Sequence, residues 1–355
     1  MNLLVTGICG FVGSALARAL LASTENLRIT GVDNFVRPGS ELNRRELARL
    51  GVKVVHGDLR SSSDLETLPA ADWVIDAAAN PSVLAGVDGR TSSRQLVEHN
   101  LWGTVNALEY CKTHRAGLIL LSTSRVYSIK PLAELPVEVH QKAYRPRAGA
   151  ELPMGLTAAG VSEEFPTAPP VSLYGSTKLA SESLALEYGE TFGFPVWINR
   201  CGVLAGAGQF GKPDQGIFSY WINAHLRRRT LRYIGFDGGG FQVRDCLHPR
   251  DLAALLTLQM KGGSGTQARI QNVSGGAANS MSLAQLTDWC DTRFGAHKVQ
   301  SDPKPRPFDI PWMVLNSTLA EGQWPWKPAC RLENILDEIA LHAEKNPNWL
   351  ELSEA

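Results

Sequence analysis

The sequence predicts an α/β fold: a doubly wound parallel sheet followed by a smaller, mixed α/β domain. Three observations predict it. Short β-branched and apolar runs alternate with amphipathic stretches over residues 2–126, a glycine-rich turn joins the first run to the first helix, and beyond residue 205 the pattern loosens into glycine loops and separate helical pieces. Strands separated by helical stretches imply βαβ units with right-handed crossovers. A chain of 355 residues, 44% hydrophobic, has ample material for one large α/β domain and an appendage.

In order, Leu3 to Thr6 reads as the first strand and residues 11–22 as a helix with small and apolar faces. Strands follow at Leu27 to Val32, Val52 to His56 and Trp73 to Ala77. A helix over 93–114 leads to a fifth strand, Leu118 to Ser122. Residues 128–171 hold seven prolines and little periodicity, so they read as a long active-site insertion. A helix from Tyr174 to about Phe192 and a sixth strand, Val196 to Asn199, complete residues 1–205 as the first domain. Residues 206–355 are expected mainly as a substrate-binding cap, part of it able to return to the large sheet.

Composition excludes several classes. Formal net charge is zero with no terminal basic block, which argues against a nucleic-acid binder held by phosphate neutralisation. Six scattered cysteines form no C-x-x-C pair and read as buried, reduced thiols. No apolar run is long enough to span a membrane, and the apolar start lacks a basic leader, so a cytoplasmic protein is expected. His225 and His248 lack metal-ligand spacing, and no metal is expected. Trp221, Trp312, Trp324 and Trp326 read as packing residues, and Arg227 to Arg229 as a solvated helix end.

The segment Gly7-Ile8-Cys9-Gly10-Phe11-Val12-Gly13 lies between the first strand and the first helix. In that context Gly7 permits a tight turn, Gly10 lets backbone approach a pyrophosphate, and Gly13 allows close helix packing. The helix N-terminus then offers free N–H groups and partial positive charge to phosphates. Asp33 follows Gly7 by 26 residues at the end of the second strand, where a carboxylate accepts from ribose hydroxyls and repels a 2′-phosphate. NAD is therefore favoured over NADP, with Arg37 taken as a solvated loop residue. Asp58 is either an adenine contact or a plain turn.

Tyr174-Gly175-Ser176-Thr177-Lys178 places Tyr174 and Lys178 on one helical face, roughly 6 Å apart along the axis. Leu121-Ser122-Thr123-Ser124-Arg125-Val126-Tyr127 stands at the C-terminal end of the fifth strand, the edge where doubly wound sheets bind ligands. A free tyrosine titrates near 10, so ionising it at pH 7 costs about 4 kcal/mol, which a lysine ammonium and a nicotinamide cation in a partly dry site can supply.

Taken together in this order, these motifs resemble the extended short-chain dehydrogenase/reductases that act on nucleotide-linked sugars, over nearly the whole chain. The resemblance implies a Rossmann-type domain, bound NAD, a nucleotide-diphosphate sugar as substrate and a homodimer or homotetramer through paired helices 93–114 and 174–192. It makes Thr123, Tyr174 and Lys178 the catalytic triad. To the cofactor it assigns Gly7, Cys9, Gly10, Phe11, Val12, Gly13, Asp33, Asn34, Asp58, Leu59, Ala77, Ala78, Ala79, Asn100 and Arg200, with Tyr174 and Lys178. To the substrate it assigns Pro81, Ser124, Arg125, Gln209, Gln215, Arg244 and Arg306. Retention of the whole triad argues for an enzyme over a non-catalytic NAD-binding scaffold or sensor.

Sugar-nucleotide 4,6-dehydratases carry Asp-Glu directly after the threonine; here Ser124-Arg125 stands there, which disfavours water loss and leaves epimerisation by oxidation and re-reduction. The segments 208–216, 242–248 and 306–310, with the long insertion, are similar to those of CDP-paratose 2-epimerases. UDP-sugar 4-epimerisation or another nucleotide-sugar oxidation is the alternative. Ile8, Ser128 and Asp76 depart from the family pattern, where glycine, glycine and histidine are usual.

Overall fold

The computed structural model describes residues 1–354 apart from 88, 90, 91, 214, 263 and 264. Seven strands make one sheet: β1 (Asn2–Thr6), β2 (Arg28–Asp33), β3 (Lys53–His56), β4 (Trp73–Asp76), β5 (Gly117–Thr123), β6 (Val196–Cys201) and β7 (Ile270–Val273). They lie in the order β7-β6-β5-β4-β1-β2-β3, and every neighbouring pair is parallel. The strand order reverses between β1 and β4, so a crevice opens beyond their C-terminal ends.

Both faces of the sheet are buried, which is why the strands read as unbroken apolar runs. Along β5, Ile119 and Leu121 turn to the layer holding helices Phe11–Ser23 and Pro249–Met260, whereas Leu118 and Leu120 turn to the layer of helices Gly103–His114 and Ser172–Phe192. Each such leucine, fully buried, contributes about 2 kcal/mol. Trp197 and Trp324 meet edge to face at 5.2 Å in the first layer, and Trp221 and Trp312 are buried in the cap.

The cap is built on strand Val243–Leu247, flanked by Val203–Leu204, Ser280–Ser282 and Trp312–Met313. Helices Ile217–Leu226, Leu283–Phe294 and Leu332–Lys345 enclose its core. Between the cap's pieces the chain re-enters the large sheet as β7, whose polar Gln271 and Asn272 are satisfied by Ala268, Gln323 and Val161.

Residues 128–171 correct the expectation of a long loop within the first domain. They form a helical turn, Ile129–Ala133, and two hairpins, Val137–His140 with Ala143–Pro146 and Leu156–Thr157 with Gly160–Val161. These elements are too short to show periodicity, and they dock on the cap: Tyr144 N donates to Phe241 O at 2.8 Å, and Leu132, Val161 and Phe165 share a core with Val243 and Trp312. Arg227 to Arg229 are also corrected. Arg227 donates to Ala343 O and Pro347 O, Arg228 to the carbonyls of 294–296, and Arg229 pairs with Glu351, because the end of their helix is packed rather than solvated.

All six cysteines are free thiols. No helix among the described residues is long and apolar enough to cross a membrane, and no group of three or more His, Cys, Asp or Glu side chains among them could hold a metal ion.

Candidate active site

The glycine turn is sterically required. Gly7 has φ +61° and a Cβ there would lie 2.9 Å from Ala78 Cα; a Cβ on Gly13 would lie 2.3 Å from Gly7 O. Gly10 caps the helix Phe11–Ser23. Ile8, in place of the usual glycine, fills the space left by Gly31, where a Cβ would meet it at 2.3 Å.

Asp33 joins the turn to β2. Its Oδ2 accepts from Cys9 N at 2.9 Å and its Oδ1 from Phe35 N at 2.8 Å, while burial pushes the carboxyl up and these backbone bonds oppose it. The Cys9 thiol is buried and pushed up to about 12, so it packs rather than reacts. Asp58 is ion-paired to Arg60 at 2.7 Å, which holds it well below the carboxylate range, and it accepts from Asn34 Nδ2 at 3.1 Å. Leu59 offers its carbonyl to Asn106. Arg37 is not solvated: it donates to Gln215 Oε1 and Phe210 O, each at 2.7 Å, and so ties the β2 loop to residues 210–215. Gln215 is thereby engaged, Gln209 Nε2 bonds Leu204 O, and Phe11 packs with Phe210 and Trp349. Asp214 lies outside the described residues.

Beyond β4, Thr6 Oγ1 holds the amides of Ala77 and Ala78 at 3.0 Å, with Ala79 and Pro81 exposed. Asp76, where the family usually has histidine, is buried and accepts from Thr6 and Thr104 hydroxyls at 2.7 and 2.8 Å. Asn100 sits in a π-turn (Glu98–Trp102) and grips both backbone groups of Asn80 and the Thr177 hydroxyl. It therefore fastens the 77–82 loop to the helix of Tyr174. Ser128 donates to Ala168 O at 2.6 Å and closes the base of the insertion, a role glycine has no side chain to play.

The structure brings Thr123, Tyr174 and Lys178 together at the C-terminal end of β5. Tyr174 lies beside Thr123, and burial pushes its phenol up to about 12 while Thr123 draws it down. Ionising it at pH 7 without ligand costs roughly 7 kcal/mol, more than the 4 of a free tyrosine. Lys178 is 2% exposed and its Nζ meets no hydrogen-bond acceptor among the described residues; burial pulls it down while Asp76 and Glu182 pull it up. A turn whose glycines leave no room for a Cβ at the N-terminus of the first helix fits the close approach of a dinucleotide pyrophosphate.

Arg200 has partners that the sequence reading did not name. Arg200 is bonded by Glu182 through Nε and Nη2 and reaches Tyr127 Oη at 3.4 Å, so its guanidinium is engaged below the cofactor crevice. Ser122 donates to the same Glu182. The signal for Glu182 was present: it lies four residues after Lys178, on the same face of the helix.

Three guanidiniums gather on the far side of Tyr174. Arg244 Nη2 pairs with Asp309 Oδ1 at 3.0 Å, Arg306 reaches Pro213 O at 3.5 Å, and Arg125 Nη1 donates to Phe308 O at 3.2 Å. Ser124 opens the turn that carries Arg125. Asp245, next to Arg244 in the chain, is engaged by Leu315 N and Ser274 instead. Three cations against one carboxylate leave two positive charges, the complement of a diphosphate.

Residues 3–273 match the model of the NAD dependent epimerase/dehydratase family. The chain is 28% identical to CDP-paratose 2-epimerase of Salmonella typhi over 83% of this chain and 86% of that protein. It is 26% identical to UDP-glucuronate 4-epimerase 4 of Arabidopsis thaliana over 96% and 74%. Its fold is similar to that of UDP-glucose 4-epimerase from Bifidobacterium longum, solved with NAD+ and UDP, with a TM-score of 0.79, 22% identity and coverage of 98% and 100%. The chain thus belongs to the NAD dependent epimerase/dehydratase family of enzymes, with NAD as its cofactor.

Proposed function

We propose that the enzyme inverts one ring carbon of a nucleotide-diphosphate sugar by oxidation to a ketone, turning of the sugar and re-reduction on the other face. The observation that carries this reading is the placement of Tyr174 beside Thr123, one helical turn from Lys178, set against a doubly positive guanidinium cluster. NAD, when bound, supplies the hydride acceptor and returns the same hydride. Tyr174 takes the proton of the sugar hydroxyl and gives it back; Thr123 orients that hydroxyl; Arg244 and Arg306 anchor the diphosphate so that the sugar can turn about it. With Ser124-Arg125 in place of two acids, nothing beside Thr123 serves an elimination. The preferred substrate is a CDP-linked dideoxyhexose, as for CDP-paratose 2-epimerase, on the strength of that relative and of residues 208–216 and 306–310. A UDP-sugar 4-epimerase is the second reading, favoured by the match to UDP-glucuronate 4-epimerase 4 over 96% of this chain.

A panel of CDP-, UDP-, GDP- and dTDP-sugars in deuterated water tests it. One class should be epimerised with no solvent deuterium at the inverted carbon; substantial wash-in would exclude a hydride that stays within the site.

We further propose a homodimer through the helices 93–114 and 172–192, whose outer faces leave Val97 and Trp102 43% and 52% exposed. Sedimentation should show a dimer that falls to monomer in the Val97→Glu/Trp102→Glu protein. A monomeric parent would refute this.

A further inference from the structure

The loop that follows β2 is held away from its relaxed shape. Phe35 takes φ +55°, the left-handed region that is unfavourable for a residue with a side chain. On the sheet side three contacts fix it. Phe35 N donates to Asp33 Oδ1 at 2.8 Å, the Phe35 ring stacks on His56 at 5.9 Å, and Arg44 lies over that ring at 5.4 Å. The same stretch is tied to the glycine turn: Cys9 N donates to Asp33 Oδ2 and Asn43 Nδ2 to Cys9 O, both at 2.9 Å. The far side of the loop is fixed by the cap. Arg37 donates to Phe210 O and to Gln215 Oε1, each at 2.7 Å. Phe210 is itself buried, stacked on Trp349 at 5.0 Å and packed on Phe11. A Cβ on Gly39 would lie 2.8 Å from the Phe210 ring, so the loop lies flush on it.

We propose that Arg37 is a positioning residue for NAD: through it the cap holds the strained loop behind Asp33, and cofactor release waits on that tie. With the tie intact, the amides of Cys9 and Phe35 fix the direction of both Asp33 oxygens. Without it, Phe35 relaxes toward an ordinary φ, its amide leaves Asp33, and the carboxylate assigned to the ribose loses its preset orientation. A nucleotide seat that the sequence places within residues 1–205 is thereby completed by Phe210 and Gln215 of the cap. Gln215 then serves the cofactor loop rather than the substrate. The inference rests on the glycine turn and Asp33 as the seat of NAD and not on which sugar is turned over.

The test needs no sugar. The NAD-loaded protein is mixed with excess alcohol dehydrogenase and ethanol, which reduce each NAD as it is released, and the rate is read from NADH absorbance. Arg37→Met should release NAD about tenfold faster than the parent. Gln215→Leu, which leaves the bond to Phe210 O, should quicken release about threefold, and the double replacement should be no faster than Arg37→Met alone. Arg37→Lys, able to reach one acceptor, should fall between the parent and Arg37→Met. Arg18→Met, which removes a cation paired with Glu46 on the helix Phe11–Ser23, should release at the parent's rate. Unchanged release in Arg37→Met overturns the proposal, as does an equal gain in Arg18→Met. Effects that multiply in the double replacement, or an unmoved Gln215→Leu beside a fast Arg37→Met, also overturn it, because the arginine would then act on NAD directly. Should Arg37→Met not fold or not load NAD, Arg37→Ala is read in the same way. A parent protein inactive on every nucleotide sugar would sink the proposed reaction and leave these release rates standing.

Discussion

Replacing Tyr174 with phenylalanine should lower turnover by roughly 10³-fold or more while leaving NAD bound and the fold intact. The ring of Tyr174 packs against Ala85 and Leu96, contacts that phenylalanine keeps. What is lost is the proton acceptor. The sign of the pH dependence follows from the same site. Burial raises the phenol, so the base form grows as pH rises through its midpoint, and the parent enzyme should gain rate along an ascending acid limb. Steady-state assays across pH, with NAD content measured on the same samples, check both parts. Residual activity above a tenth of the parent's would remove Tyr174 from the chemistry.

Glu182→Ala should destabilise the protein by about 3–5 kcal/mol, far more than any substitution at the triad. Glu182 and Arg200 are 3% and 7% exposed at their side chains and are joined at 2.7 Å, and Ser122 donates to the same carboxylate. Removing the acid leaves a guanidinium in a dry interior between β5, β6 and the helix of Tyr174, with only the Tyr127 hydroxyl at 3.4 Å. The mutant's denaturation midpoint measures the loss, and a change under about 1 kcal/mol would show that water reaches the pair. The joint replacement Glu182→Leu with Arg200→Met should recover much of the stability, since neither charge is then stranded.

What was legible in the sequence was local. The period of β1 to β6, the positive-φ glycine at 7 and the four-residue step from Tyr174 to Lys178 are each set by neighbours in the chain, and the fold placed them as read. What escaped was long-range. Ile8 has room only because Gly31, 23 positions on, has no side chain, and no window of sequence displays that contact. Arg37 read as a loop residue because its partners, Phe210 and Gln215, lie more than 170 positions away. The insertion read as a loop because hairpins of two to four residues carry no period. The ion pair of Arg200 escaped because its partner, Glu182, lies on another element 18 positions away.

The return of the chain to the large sheet as β7 bears on how this protein is made. A polypeptide emerging from the ribosome completes β6 at residue 201 but gains the strand that covers its outer edge only at 270–273. Until then a strand with a buried-type sequence on both faces has open N–H and C=O groups along one side. The nascent chain must therefore hold the first two hundred residues in an incomplete sheet for about seventy more additions, a vulnerable interval for aggregation or chaperone capture. A cleavage after residue 205 would not release an independent nucleotide-binding half, because the last strand of that half is encoded inside the other.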